Sequence, residues 1–265
     1  MLLEIFSLLL LGMIAGTFAG LLGIGGGIII VPILVWIFSN NVEIPTAHLM
    51  HVAIGTTLAT IVITSLSSII AHHRHQAVQW SIFWRLTPGT IIGAALGAII
   101  AKTLPSETLR IIFAIFILIV SVQLSFLTPP APYRQLPSRL GIGIVGTLIG
   151  SLSALVGIGG GSLTVPFLVW CNIPIRNAIG TSAACGFPIA ISGAIGFIAT
   201  GWHVSELPAW TSGYIYWPAF LAIVPSSLLF AQLGAKLTHT IPVNTLKKFF
   251  AVFLALVGFK MLLEF

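Results

Sequence analysis

Apolar residues run along this chain in blocks of about 20, long enough to cross ~30 Å of hydrocarbon, with short polar punctuation between them. The first half predicts helical segments at residues 3–22, 28–38, 46–70, 80–101 and 106–127. The second half predicts the same order at 139–156, 162–171, 175–199, 213–236 and 243–263. The expected fold is an all-α polytopic membrane protein with one membrane repeat at 1–127, a Pro-rich linker at 128–138 and a second repeat at 139–265.

The halves align because a glycine break occurs twice. Gly23-Ile24-Gly25-Gly26-Gly27 leads into Val31-Pro32, and 134 residues later Gly157-Ile158-Gly159-Gly160-Gly161 leads into Val165-Pro166. Between residues 21–36 and 155–170, 11 of 16 positions are identical. Gly55-Thr56-Thr57 matches Gly180-Thr181-Ser182 at an offset of 125, and Trp80, Pro88, Gly97 and Pro105 match Trp217, Pro225, Gly234 and Pro242 at 137. Irregular backbone inside apolar sequence is tolerated at membrane depth only where protein or a wet cavity surrounds it, so the breaks point to a transport site.

The segment after each break decides the topology. At 28–38 it makes roughly 16 Å of helix, short for a crossing. If it completes a crossing, each half spans five times and the second half is inverted. If it is re-entrant, each half spans four times and the repeats are parallel. The five-crossing arrangement puts Arg74, Arg85, Arg134, Arg139, Arg176, Lys236, Lys247 and Lys248 on one side against Lys102, Arg110 and Lys260, a split of 8 to 3. The re-entrant one gives 6 to 5. The positive-inside rule therefore favours inverted repeats, with both termini non-cytoplasmic.

Composition narrows the function classes. The chain is 57% hydrophobic and 6% charged, and its net charge of +6 comes from singly scattered Lys and Arg, which fits membrane orientation and not nucleic acid. The N-terminus carries Glu4 in place of a basic region and runs on into apolar sequence, so it reads as the first helix and not as a signal peptide. Cys171 and Cys185 lack paired-ligand spacing and read as packing residues. Gly141-Ile142-Gly143-Ile144-Val145-Gly146 fits a dinucleotide pattern but lies in an apolar helix without a βαβ unit. Neither a nucleophile–base pair nor a metal constellation can be assembled, so the chain reads as no enzyme, with no metal and no cofactor.

Candidate chemistry centres on the breaks. In inverted-repeat carriers, half-helix N-termini face the anionic groups of a substrate near the midplane. Glycine triplets expose N–H groups there, and the following helix adds roughly half a positive charge. The candidate substrate-binding residues are Gly25, Gly26, Gly27, Thr56, Thr57, Gly159, Gly160, Gly161, Ser162, Thr181 and Ser182. Ser162 follows the second triplet where Ile28 follows the first, so the pocket is read as asymmetric. The helix hydroxyls either line it or bond their own i−4 carbonyls. His51 and Arg176, each five residues before a Thr, and Arg85 beside Trp84 are vestibule or gating candidates, or side chains that snorkel to water. The acidic residues, Glu4, Glu43, Glu107, Glu206 and Glu264, fall at segment ends or loops, so proton coupling would use His48, His51 or the substrate itself.

The paired Gly-x-Gly-Gly-Gly motifs with following Val-Pro, and the paired Gly-Thr-[Thr/Ser], resemble the TauE/SafE sulfite-exporter family of bacterial and archaeal permeases, over nearly the whole chain. The resemblance implies a plasma (inner) membrane carrier of small sulfur-containing anions, such as sulfite, sulfonates or related organosulfur acids; with the inverted repeats, the expected function is a secondary transporter working by alternating access. An anion channel, or a membrane subunit dependent on a partner, is the alternative. The partners expected are the anion and the lipid bilayer; proton coupling and homo-oligomerisation stay open.

Overall fold

The computed structural model describes residues 2–22, 26–42, 44–126, 135–237 and 243–263. Most of the linker, together with Gly25, Glu43, Arg134 and Glu264, lies outside them. Ten α-helices follow in order among the described residues: α1 Leu2–Leu22, α2 Gly27–Asn41, α3 Leu49–Arg74, α4 Trp80–Thr103, α5 Ser106–Phe126, α6 Arg139–Val156, α7 Gly161–Trp170, α8 Ile175–Gly201, α9 Trp217–Leu237 and α10 Val243–Leu263. Five of them, α3, α4, α5, α6 and α8, include stretches long and apolar enough to cross a membrane. The protein is an all-α polytopic membrane protein.

Three expectations shift, the first at the segment predicted for 46–70, which opens as a 3-10 turn at Thr46–His48 and continues as α3 to Arg74. α2 has 15 residues where the pattern predicts 11, because the helix continues through Ser39 and Asn40, whose side chains bond the carbonyls of Val35 and Trp36. Residues 213–216, predicted as helix, form instead the tip of a hairpin in which β1 Thr211–Ser212 pairs antiparallel with β2 Ile215–Tyr216. Gly213, at φ +54, makes its turn possible.

Small residues let helices approach closely, and lipid covers what remains. On α6 the exposed Leu140, Ile144, Leu148 and Leu152 recur every four residues as one lipid-facing stripe. The other face carries Gly146 and Gly150, which lie directly on the carbonyls of Leu86 and Thr90 in α4. Gly12 and Gly16 of α1 lie in the same way on the carbonyls of Ile223 and Ser227 in α9. The most extensive packing in the molecule joins α4 to α6 and α1 to α9, that is, a helix of one sequence half to a helix of the other. α3 also packs on α8, and α5 on α10.

The backbone between helices is tied in the same crosswise way. Thr56 Oγ1 accepts from Tyr216 N at 3.0 Å, just before α9, and Thr181 Oγ1 accepts from Gln79 N at 2.9 Å, just before α4. Gly55 lies against the Tyr214 carbonyl and Gly180 against that of Ala77. Tyr214 N donates to Phe197 O, and Ala77 N to His72 O. Gln76, at φ +53, occupies the place of Gly213. Each pair stands at the offsets read from the sequence, 125 and 137.

Candidate functional site at the glycine breaks

The two breaks touch. A Cβ added to Gly27 would run into the Gly157 carbonyl oxygen and lie 3.1 Å from Ile158 Cα. Gly157 in turn sits under Val31 of α2 and Ile54 of α3. Gly159 is close to Ile61 of α3 and to Gly186 of α8, where a Cβ would stand 2.8 Å from the Gly159 carbonyl oxygen. Residues from α2, α3, α6, α7 and α8 thus converge at one point.

The second break is built from two left-handed glycines. Gly157, at φ +73, ends α6 by donating to Ala154 O, while Ile158 N donates to Ser153 O at 2.8 Å. This double return satisfies the last carbonyls of α6. Gly160, at φ +76, then starts α7, its carbonyl accepting from Leu163 N and Thr164 N. The capping residue is glycine, so no side chain caps this N-terminus.

Hydroxyl groups surround that start. Ser153 Oγ and Thr164 Oγ1 come within 3.4 and 3.5 Å of where a Gly160 Cβ would be. Both residues are almost fully buried, at 2% and 0% exposure, and neither hydroxyl has a hydrogen-bond partner. Ser162 Oγ and Ser182 Oγ are buried and unpartnered as well. Ser182 lies one turn before Gly186 on the face of α8 that meets the break. The charge field is correspondingly simple: α6 to α8 hold no charged residue after Arg139 except Arg176, at the start of α8.

The first break differs in backbone and in chemistry. Gly26 caps α2 at φ −62, an ordinary right-handed value, with Ile30 Cδ1 packed 3.3 Å from its Cβ position. Ile28, Ile29, Ile30 and Val31 are all buried in the main core cluster.

The structure sets Gly26 and Gly27 of the first break beside the second, which holds Gly159, Gly160, Gly161 and Ser162, with Ser182 one turn before Gly186 on α8, while Gly25 lies outside the described residues. Of the other helix hydroxyls, Thr57 donates to Ala53 O at 2.7 Å, and Thr56 and Thr181 hold the backbone of the opposite half. Ser153 and Thr164 are not among the residues that the sequence motifs single out. The signal for them was present, since their aligned first-half positions are Ala19 and Ile30.

The vestibule candidates have partners other than the glycine breaks or face outward. Arg176 is exposed and donates to His75 O at 3.0 Å. Arg85 is exposed on α4 beside Trp84. His51 is buried, with Nε2 3.0 Å from Ala101 O, so Nε2 carries the proton in that bond. Its ring lies 4.9 Å from the tilted ring of Tyr214 and meets that of His48 edge-on at 6.0 Å, and His48 Nε2 lies 3.9 Å from Glu206. Burial raises the Tyr214 phenol above its usual pKa. Cys171 and Cys185 are free and buried, and among the described residues no cluster of metal-ligating side chains occurs.

The profile of the sulfite exporter TauE/SafE family matches residues 8–261. The chain belongs to this family. A probable membrane transporter protein of Haemophilus influenzae is 40% identical over 258 residues, covering 97% of both chains. Probable membrane transporter proteins of Bacillus subtilis and Methanocaldococcus jannaschii are 28% and 29% identical, covering 97% of this chain in each case and 97% and 94% of their own. No solved structure matches. As a TauE/SafE family member with multiple apolar helices, the protein is a multi-pass membrane transporter.

Proposed function

We infer that this TauE/SafE-family transporter is a secondary carrier of small sulfur-containing anions, sulfite or organosulfonates, working by alternating access. One observation carries the reading: α7 begins, uncapped by any side chain, among buried hydroxyls that have no partner, where the two glycine breaks meet. A helix start of this kind attracts an anion through its first N–H groups and roughly half a unit of positive charge. The hydroxyls add donors that nothing in the protein satisfies.

The two halves act in this reading as inverted repeats in the plasma membrane, with both termini on the non-cytoplasmic side. The 8-to-3 distribution of Lys and Arg favours that orientation. The crosswise pairs Thr56–Tyr216 and Thr181–Gln79 are what a pseudo-twofold relation would produce.

Reconstitution of the purified protein in liposomes tests the function. Labelled sulfite uptake should saturate, show competition by a sulfonate, and exchange against anion trapped inside. Linear, non-exchanging flux would mark a pore, and lack of flux for every sulfur anion tried would remove the proposal.

A further inference from the structure

Among the described residues, every buried hydroxyl without a hydrogen-bond partner, Ser153, Ser162, Thr164 and Ser182, belongs to the second half. The aligned first-half residues are Ala19, Ile28, Ile30 and Thr57. Three of these are apolar, and the fourth donates its hydroxyl to Ala53 O. The motif is duplicated, but its donors are not.

Resting on the carrier reading above, we propose that the anion site is single and lies at the second break, where Ser153 and Thr164 donate to a singly charged oxyanion in preference to a dianion. Both hydroxyls converge on Gly160 from different helices, α6 and α7, so they reach one spot beside the uncapped helix start. Buried hydroxyls are normally partnered. Two left open beside the start of α7, with Ser162 in its first turn, suit a ligand that supplies acceptors when it arrives.

The sign of the ligand follows from its surroundings. The N-terminus of α7 faces it with partial positive charge, and the sequence of α2, α7 and the interiors of α3, α6 and α8 contains no carboxylate to hold a cation. Its magnitude follows from desolvation. The Born cost of removing an ion from water rises with the square of its charge, about fourfold from a monoanion to a dianion. Hydroxyls and backbone N–H groups, with no Arg or Lys among them, offset the smaller cost more readily than the larger. The ligand class is therefore a monoanion with several acceptor oxygens: hydrogen sulfite or an alkanesulfonate, before sulfate or the sulfite dianion.

The test uses the full chain in liposomes, with labelled methanesulfonate as substrate and sulfate as competitor. Sulfate should compete at least roughly tenfold more weakly than unlabelled methanesulfonate, and S153A/T164V should raise KM for methanesulfonate by at least roughly tenfold, as expected for lost hydrogen bonds to a charged group. The companion S153T/T164S keeps both hydroxyls and should stay near the wild-type KM. Loss in both double variants would overturn the hydroxyl assignment. An unchanged KM in S153A/T164V, as expected if only water fills the spot, or equal competition by sulfate, would overturn this proposal and leave the carrier standing. Absence of methanesulfonate and sulfite flux in the wild-type protein would instead overturn the carrier reading.

Discussion

The two glycine breaks share five consecutive residue types and a following Val-Pro, yet they differ in what surrounds them. Gly26 starts α2 in the right-handed region, and α2 is buried along most of its length in the main core. Gly160 starts α7 in the left-handed region, and α7 buries chiefly Gly161, Thr164 and Leu168. The first break works as a packing joint, and the second leaves hydroxyls open at a helix start. The lesson is that a duplicated glycine motif can differ between its copies in backbone and in surrounding chemistry, and the side chains one or two turns away reveal the difference.

The strongest test of that contrast compares Gly160→Ala with Gly26→Ala. At φ +76 an alanine costs about 1–2 kcal/mol in conformation alone, and its Cβ would stand 2.7 Å from Ile189 Cδ1. We expect transport to fall to background in the Gly160 variant and its unfolding temperature in detergent to drop. Gly26→Ala meets only ordinary φ and a yielding Ile30 methyl at 3.3 Å, so its unfolding temperature should shift much less. Equal shifts would show that the breaks are equivalent.

Copying the hydroxyls forward is the next challenge. I28S/I30T places the residues of the second break into the first, inside a closed apolar core. Each unsatisfied hydroxyl should cost roughly 1–3 kcal/mol, read by chemical denaturation, with no gain in anion affinity. A second binding event in that variant would mean that the first break is also an anion cradle.

A smaller and symmetric effect is expected where the halves do agree. Thr56→Val and Thr181→Val each strand one backbone N–H, of Tyr216 and of Gln79, at a cost of roughly 1–2 kcal/mol. The two losses should match within error and add in the double variant, because the sites share no partner. Least of all, Gly143→Ala on α6 meets nothing within 4 Å and should raise stability by under about 1 kcal/mol, the propensity difference alone.

Much of the fold was legible because lipid makes the pattern simple: apolar blocks become helices, and small residues mark the seams. Helix bounds agree closely with the reading at α6, predicted at 139–156, where Ser138 caps the first turn. The hairpin at residues 211–216 was hidden because its reason is tertiary: Tyr216 is held by Thr56, 160 residues away. The same distance hides the partners of two threonines. Thr56 and Thr181 look like free hydroxyls in sequence, and each accepts from a backbone N–H of the opposite half that no local pattern announces. Ser153 was overlooked because it sits a turn before the break, among residues that read as ordinary helix. Only the bend of the chain at Gly157 and Gly160 brings it to Thr164.

The crossed pairing of α1 with α9 and α4 with α6 constrains how such a protein could move. A carrier built from two self-contained halves could rock residues 1–127 against 139–265, but here that motion would tear Gly12 and Gly16 from α9 and Gly146 and Gly150 from α4. The bodies that stay rigid have to be composites, each drawing helices from both ends of the gene product. A cut in the linker would accordingly leave two fragments that assemble only with each other, and the first half emerging from a ribosome would wait, its glycine seams uncovered, until α6 and α9 arrive.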